Sequence, residues 1–211
     1  MTIAAVAGPS GKDGISSGNG RHEVIWVEEV GELEAYRGAD LFMDLAFVHD
    51  AERIAQLSRL LPSPVIVDAV VHTVSEIGQP FIRINGWPGC MERGVHELAV
   101  ADERSGSVVA ELYGRLGWQY RIVPDIAGMV SCRILAAIIN EAFYTLQDEV
   151  STREGIDAAM RLGTNYPYGP FEWASRIGEE RVHHLLSVLS ETNQRYLPAR
   201  ALVEAVSKIK I

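Results

Sequence analysis

The chain has 211 residues, 47% of them hydrophobic and 22% charged, which is enough apolar material for a sizeable core and excludes a mainly disordered chain. Lys and Arg number 19 against 28 Asp and Glu, a net charge of −9 that repels phosphate, so no nucleic-acid partner is expected. A chain of this length forms one large domain or two small ones.

The first 124 residues alternate short apolar runs with polar or helical segments. Thr2–Ala7 and His22–Val27 are predicted strands, joined by a Gly/Ser-rich stretch from Gly8 to Arg21. Leu41–Val48 and Pro64–Val71 are further apolar runs of strand length, with a helix over Ala51–Leu61 between them and Asp50 as its N-cap. Phe81–Asn85, Val95–Ala101 and Gln119–Val123 read as strands and Ser107–Leu116 as a helix. Strands alternating with helices predict an α/β domain with a mainly parallel sheet over residues 1–124.

After Pro124 the pattern becomes helical. Val130–Leu146 has a long helical period. Ser151 followed by Glu154 has the spacing of a capping box, and Gly169-Pro170 opens another helix. Arg181–Glu191 and Ala199–Lys208 complete an all-helical domain over residues 125–211. Cys90 and Cys132 have neither CxxC spacing nor histidines at ligand intervals, so neither a disulfide framework nor a metal site is expected. The N-terminus lacks a signal-peptide pattern, and no run approaches the roughly 18 apolar residues of a membrane span. The expectation is a cytoplasmic protein with no membrane partner.

The second half resembles the C-terminal domain of 3-hydroxyacyl-CoA dehydrogenases. The match is carried by Asp125, Gly128, Arg133, Asn140-Glu141-Ala142, Ile156-Asp157, Ala159-Met160, Gly163, Pro167 and Gly169-Pro170-Phe171, followed by Arg195-Tyr196 and Pro198. The resemblance implies a Rossmann-like first domain and a helical second domain of the 6-phosphogluconate-dehydrogenase C-terminal type. It further implies NAD as cofactor, an acyl-CoA as ligand, a homodimer, and a place for Asn140 at the catalytic site.

The first half follows the family with departures. A Rossmann domain needs a Gly-rich turn opening a helix, whose N–H groups meet the pyrophosphate. Gly8 and Gly11 follow the first strand, but GxGxxG is missing; Glu28, about 20 residues beyond Gly8, stands where an acidic residue would hold the ribose. PVIVDAVVHTVSEI occupies the place of the family's serine motif and puts Val70 at the serine. The family's catalytic histidine is followed twelve residues later by a glutamate that orients it. Here Glu97 matches the glutamate, but Asn85 stands at the histidine position, and an amide cannot act as a base.

Among the histidines, His72 and His49 are candidates for the pocket. His96 reads as a partly exposed strand residue, His22 as a strand edge, and His183-His184 as part of an exposed helix. Trp87 and Cys90 read as a turn packed by an aromatic side chain, with the lining of a pocket as the alternative. Three functions follow. One is a protein that binds an acyl-CoA or similar small acyl ligand without redox chemistry, with Glu97, Asn140 and Asn85 in its site. The second is an active NAD-dependent 3-hydroxyacyl-CoA dehydrogenase using Gly8, Gly11 and Glu28 for the cofactor. The third uses Glu97 as a lone base on a C–H next to a thioester.

Overall fold

The computed structural model describes residues 1–8, 15, 22–91 and 94–209. The chain forms two compact units, Met1–Met129 and Val130–Ile211. The division falls five residues beyond the boundary read from sequence at 124/125. The intervening stretch is tied to the first unit: Asp125 accepts the backbone N–H of Val74, and the Gly128 N–H donates to the Val70 carbonyl at 2.8 Å.

The first unit holds a seven-stranded sheet. Its strands are β1 (Thr2–Val6), β2 (Glu23–Val27), β3 (Leu41–Asp44), β4 (Val65–Asp68), β5 (Ile82–Ile84), β6 (Val95–Ala99) and β7 (Gln119–Ile122). The order is β2-β1-β3-β4-β5-β6-β7, and every neighbouring pair is parallel except β5 with β6. Helices α1 (Ala51–Ser58), α2 (Val74–Ile77) and α3 (Glu103–Leu116) and a 3-10 helix, Val30–Tyr36, provide the connections.

The central strands are apolar at nearly every position because both faces are covered. Alternate residues serve opposite faces. Ile3, Ala5, Leu41, Met43, Ile66, Ile82 and Ile84 pack with Val109, Leu112, Tyr113 and Leu116 of α3. Ala4, Val6, Phe42, Val65 and Val67 pack with Val30 and Leu33 of the 3-10 helix, Leu57 and Ile77. That 3-10 helix was not legible in the sequence, where Gly31 and scattered glutamates give no helical period.

Strands β3 and β4 end well short of their predicted limits, for the same reason. Asp44 closes β3: its carboxylate accepts from Ala46 N–H and takes Arg53 through Nε at 2.6 Å and Nη2 at 2.7 Å. Asp68 closes β4, after which the Ala69 and Val70 carbonyls accept from the Arg83 guanidinium instead of a strand. Helix α3 starts earlier than predicted because Asp102 caps it, accepting from Ser105 N–H at 2.8 Å.

The second unit contains α4 (Ser131–Gln147), α5 (Arg153–Thr164), α6 (Pro170–Ile177), α7 (Glu179–Ser190) and α8 (Arg200–Ile209), with a short 3-10 turn at Gln194–Tyr196. The N-cap falls one residue beyond the predicted Ser151, and with Gly155 at the third helical position no reciprocal box forms. Thr152 is the N-cap and accepts from Gly155 N–H at 3.1 Å, while the missing Gly155 side chain leaves room for the Ser151 hydroxyl. Among the described residues no helix is long and apolar enough to cross a membrane, and no group of three or more His, Cys, Asp and Glu side chains is placed to hold a metal ion.

His96 corrects the sequence reading. It is buried, not partly exposed, and its Nδ1 lies 3.1 Å from the Tyr113 hydroxyl. Its ring meets Tyr113 and Trp118 edge-on, and Trp118 meets His22 in the same way. Burial holds the imidazole down at about 4, against 6.5 for a solvated histidine. The unfolded chain therefore takes up a proton near pH 6.5 that the folded chain refuses until about pH 4. Stability contributed by neutral His96 is complete above pH 6.5 and falls as pH drops toward 4, by up to about 3 kcal/mol. Urea denaturation at stepped pH is expected to show this slope in the wild type and a flatter profile in His96→Phe.

Candidate functional site

The β5–β6 ladder builds the central feature of the first unit. Its register pairs Ile84 with Leu98 and Arg83 with Ala99, so the next antiparallel pair is Asn85 with Glu97. The Asn85 N–H donates to the Glu97 carbonyl at 3.0 Å, and Asn85 Nδ2 donates to Glu97 Oε2 at 3.2 Å. Two residues twelve apart in sequence are thus joined through both main chain and side chain. Asn85 is buried; Glu97 is half-buried.

The same asparagine closes a turn. Its Oδ1 accepts from Trp87 N–H at 3.2 Å, and the intervening Gly86 N–H donates to Asp68 Oδ1 at 2.9 Å. A side chain at Gly86 would place its Cβ 2.5 Å from the Asp68 carboxyl carbon, so only glycine fits against the end of β4. Trp87 is buried, and its carbonyl accepts from Cys90 N–H, which makes GWPGC a turn packed by an aromatic ring.

Arg83 holds the adjoining main chain. Its side chain is fully buried. Nε donates to the Ala69 carbonyl at 2.8 Å, Nη2 to the Val70 carbonyl at 3.0 Å, and Nη1 to the Asp125 carboxylate. Asp125 also accepts the Val74 N–H at the start of α2. Val70 is therefore fixed by its carbonyl, which receives both Arg83 and Gly128. Sequence reasoning passed over Arg83, although one charged residue inside the run FIRIN was a usable signal.

His49 and His72 come together. Their rings stack with centroids 4.2 Å apart, and His49 Nε2 lies 3.3 Å from the Glu76 carbonyl. Glu76 and Thr73 form a capping box for α2, and the Thr73 N–H beside the Glu76 carboxyl holds it below the usual range.

The residues nominated for a nucleotide divide. Glu28 is exposed and directly follows β2, whose last residue is Val27. At Gly8 a Cβ would lie 2.0 Å from the Leu45 carbonyl oxygen, so the close approach of the chain after β3 accounts for the glycine. Gly11 lies outside the described residues.

In the second unit the nominated Asn140 is a tie within the fold. Its Oδ1 accepts from Ala199 N–H at 2.8 Å and its Nδ2 donates to the Leu197 carbonyl at 2.9 Å, spanning Pro198. Tyr144, one turn on, donates to the same carbonyl at 3.1 Å. A buried mid-helix amide needed partners, and the segment before α8 supplies them. Asp157 works similarly: it accepts from Phe171 N–H and Glu172 N–H at the start of α6, taking the place of a cap that Gly169 cannot provide. A Cβ on Gly169 would stand 2.3 Å from that carboxylate.

With this geometry in place, comparison with known proteins is direct. Residues 128–210 match the family described as 3-hydroxyacyl-CoA dehydrogenase, C-terminal domain. The 3-hydroxyadipyl-CoA dehydrogenase of Escherichia coli is 43% identical over 90 residues, covering 39% of this chain and 19% of that protein. A Deinococcus radiodurans protein named "Probable 3-hydroxybutyryl-CoA dehydrogenase" is 32% identical over 170 residues, 79% of this chain and 60% of its own length. The crystal structure of (S)-3-hydroxybutyryl-CoA dehydrogenase from Ralstonia eutropha superposes with a TM-score of 0.71 at 22% identity, covering 88% of this chain and 70% of that one, a likeness of fold. The matched stretches span from about a fifth to three fifths of these two curated relatives. Residues 128–210 thus carry the C-terminal domain of the 3-hydroxyacyl-CoA dehydrogenase family.

Two substitutions test the ties. Asp125→Ala leaves the buried Arg83 without its counter-charge and is expected to cost about 3–5 kcal/mol in chemical denaturation. Asn140→Ala strands the Ala199 N–H, while the Leu197 carbonyl keeps the Tyr144 hydroxyl, and is expected to cost about 1–3 kcal/mol. The second loss is read from amide exchange at Ala199, which should accelerate locally.

Proposed function

We propose that this chain binds an acyl-CoA or a similar small acyl ligand on a 3-hydroxyacyl-CoA dehydrogenase scaffold and does not itself carry out hydride transfer. The observation that carries the reading is the 3.2 Å hydrogen bond from Asn85 Nδ2 to Glu97 Oε2. Oxidation of a 3-hydroxyl requires a group that takes its proton as hydride departs. A carboxamide donates and accepts hydrogen bonds but takes up no proton at neutral pH. Val70 at the family's serine position has no hydroxyl to hold the ligand, in keeping with the same reading. Glu97 remains as the acidic member of the pair. A homodimer belongs to this reading by resemblance, and a cytoplasmic setting as an expectation from the sequence.

The second reading, an active NAD-dependent dehydrogenase, has one observation in its favour. The strand order reverses between β1 and β3, and sheets of this kind bind nucleotides in the crevice at such a point. NAD would supply the hydride acceptor there, and Glu28 is suitably placed at the end of β2 for a ribose. Gly8 gives this reading little support, because Leu45 already explains it.

Calorimetric titration separates the two. Micromolar binding of acetoacetyl-CoA with no heat from NADH is the expected result. Micromolar NADH binding would favour the dehydrogenase, and silence with both ligands would overturn both readings.

A further inference from the structure

We propose that Asn85-Gly86 is a self-modifying dipeptide, in which the Gly86 nitrogen closes on the Asn85 side chain and expels ammonia. The fold surrounds this dipeptide with groups suited to each part of that reaction. Trp87 N–H donates to Asn85 Oδ1 and closes an Asx turn, which folds the side chain back along the main chain and brings Cγ beside the next nitrogen. The same N–H stabilises the negative charge that develops on Oδ1 when Cγ is attacked. The nucleophile, Gly86 N–H, donates to Asp68 Oδ1 at 2.9 Å, so a buried carboxylate stands where the proton must go. The departing nitrogen, Asn85 Nδ2, lies against Glu97 Oε2. Gly86 carries no side chain to hinder attack, and none would fit beside Asp68.

In the first step the Gly86 N–Asn85 Cγ bond forms and the Cγ–Nδ2 bond breaks. The proton released from Gly86 N passes to Asp68, and solvent water beside half-buried Glu97 supplies the proton that completes ammonia at Nδ2. The product is a five-membered succinimide. Water then adds to either carbonyl and opens the ring to aspartate or isoaspartate at position 85, with no oxidant, reductant or metal involved. The aspartate product stands against Glu97, and two carboxylates at hydrogen-bond distance share a proton because both cannot ionise at once. The modification therefore replaces an amide that takes up no proton with a carboxyl group that does.

The test is peptide mapping by mass spectrometry of folded wild-type protein aged at neutral pH, against the same chain aged in urea. Asn19-Gly20, the other Asn-Gly in the sequence, serves as internal reference. The expected result is conversion at Asn85 at least about tenfold faster in the folded chain than in urea, a modest share of what a positioned base contributes. It appears first as a peptide lighter by one ammonia and then as its hydrolysis products. Asp68→Asn is expected to slow Asn85 at least about tenfold without altering Asn19. Should that variant not fold, the wild-type pH profile decides. Conversion by a carboxylate base persists into mild acid, whereas conversion in urea falls in proportion to hydroxide. Conversion at Asn85 no faster in the folded chain than in urea, a wild-type rate in folded Asp68→Asn, or a folded-state rate that tracks hydroxide would each overturn the proposal.

Discussion

A guanidinium without access to water organises the end of the sheet in the first unit. Arg83 stands on β5 with a fully buried side chain, and an isolated charge there would be prohibitive. Its neutralisation by Asp125 and its hydrogen bonds to Ala69 and Val70 carbonyls therefore dictate the path of three segments. The chain after β4 must turn its carbonyls inward, the chain after β7 must return Asp125 to the sheet, and α2 must start where Asp125 receives Val74 N–H. Asn85 lies two residues beyond Arg83 and inherits its position from this arrangement.

The chemistry available at that position follows from the β5–β6 pairing. Antiparallel register sets Asn85 opposite Glu97, and turn geometry sets Gly86 against Asp68. Two carboxylates and one amide are thereby gathered at a single strand end. Such a cluster offers hydrogen-bond acceptors and negative charge, and lacks the imidazole that proton removal from a hydroxyl would call on. In the second unit, the residues that most mark the family also have structural tasks. Asn140 stitches α4 to the segment before α8, and Asp157 caps α6 from α5.

Much of this was legible in the sequence. Strands buried on both faces announce themselves as unbroken apolar runs, and Asp50 and Pro170 open their helices as expected. Strand ends were less legible, because Asp44, Asp68 and Arg83 divert main-chain groups through contacts that no local pattern records. The burial of His96 was equally hidden: its neighbours Tyr113 and Trp118 come from α3 and from the turn before β7. The Asn85–Glu97 pair was legible as two positions through family resemblance. That the two side chains touch follows from the β5–β6 register, and Asn140's partners, more than fifty residues away, depend on helix packing.

The claim at the centre of this account is that Asn85, as encoded, cannot take the proton that a dehydrogenase must remove. Its most direct test is NADH oxidation by acetoacetyl-CoA, followed at high concentrations of freshly prepared protein whose Asn85 is intact by mass. No turnover above the protein-free rate is expected. Turnover by the wild type that disappears in Glu97→Gln would contradict the account and place an active dehydrogenase on this scaffold.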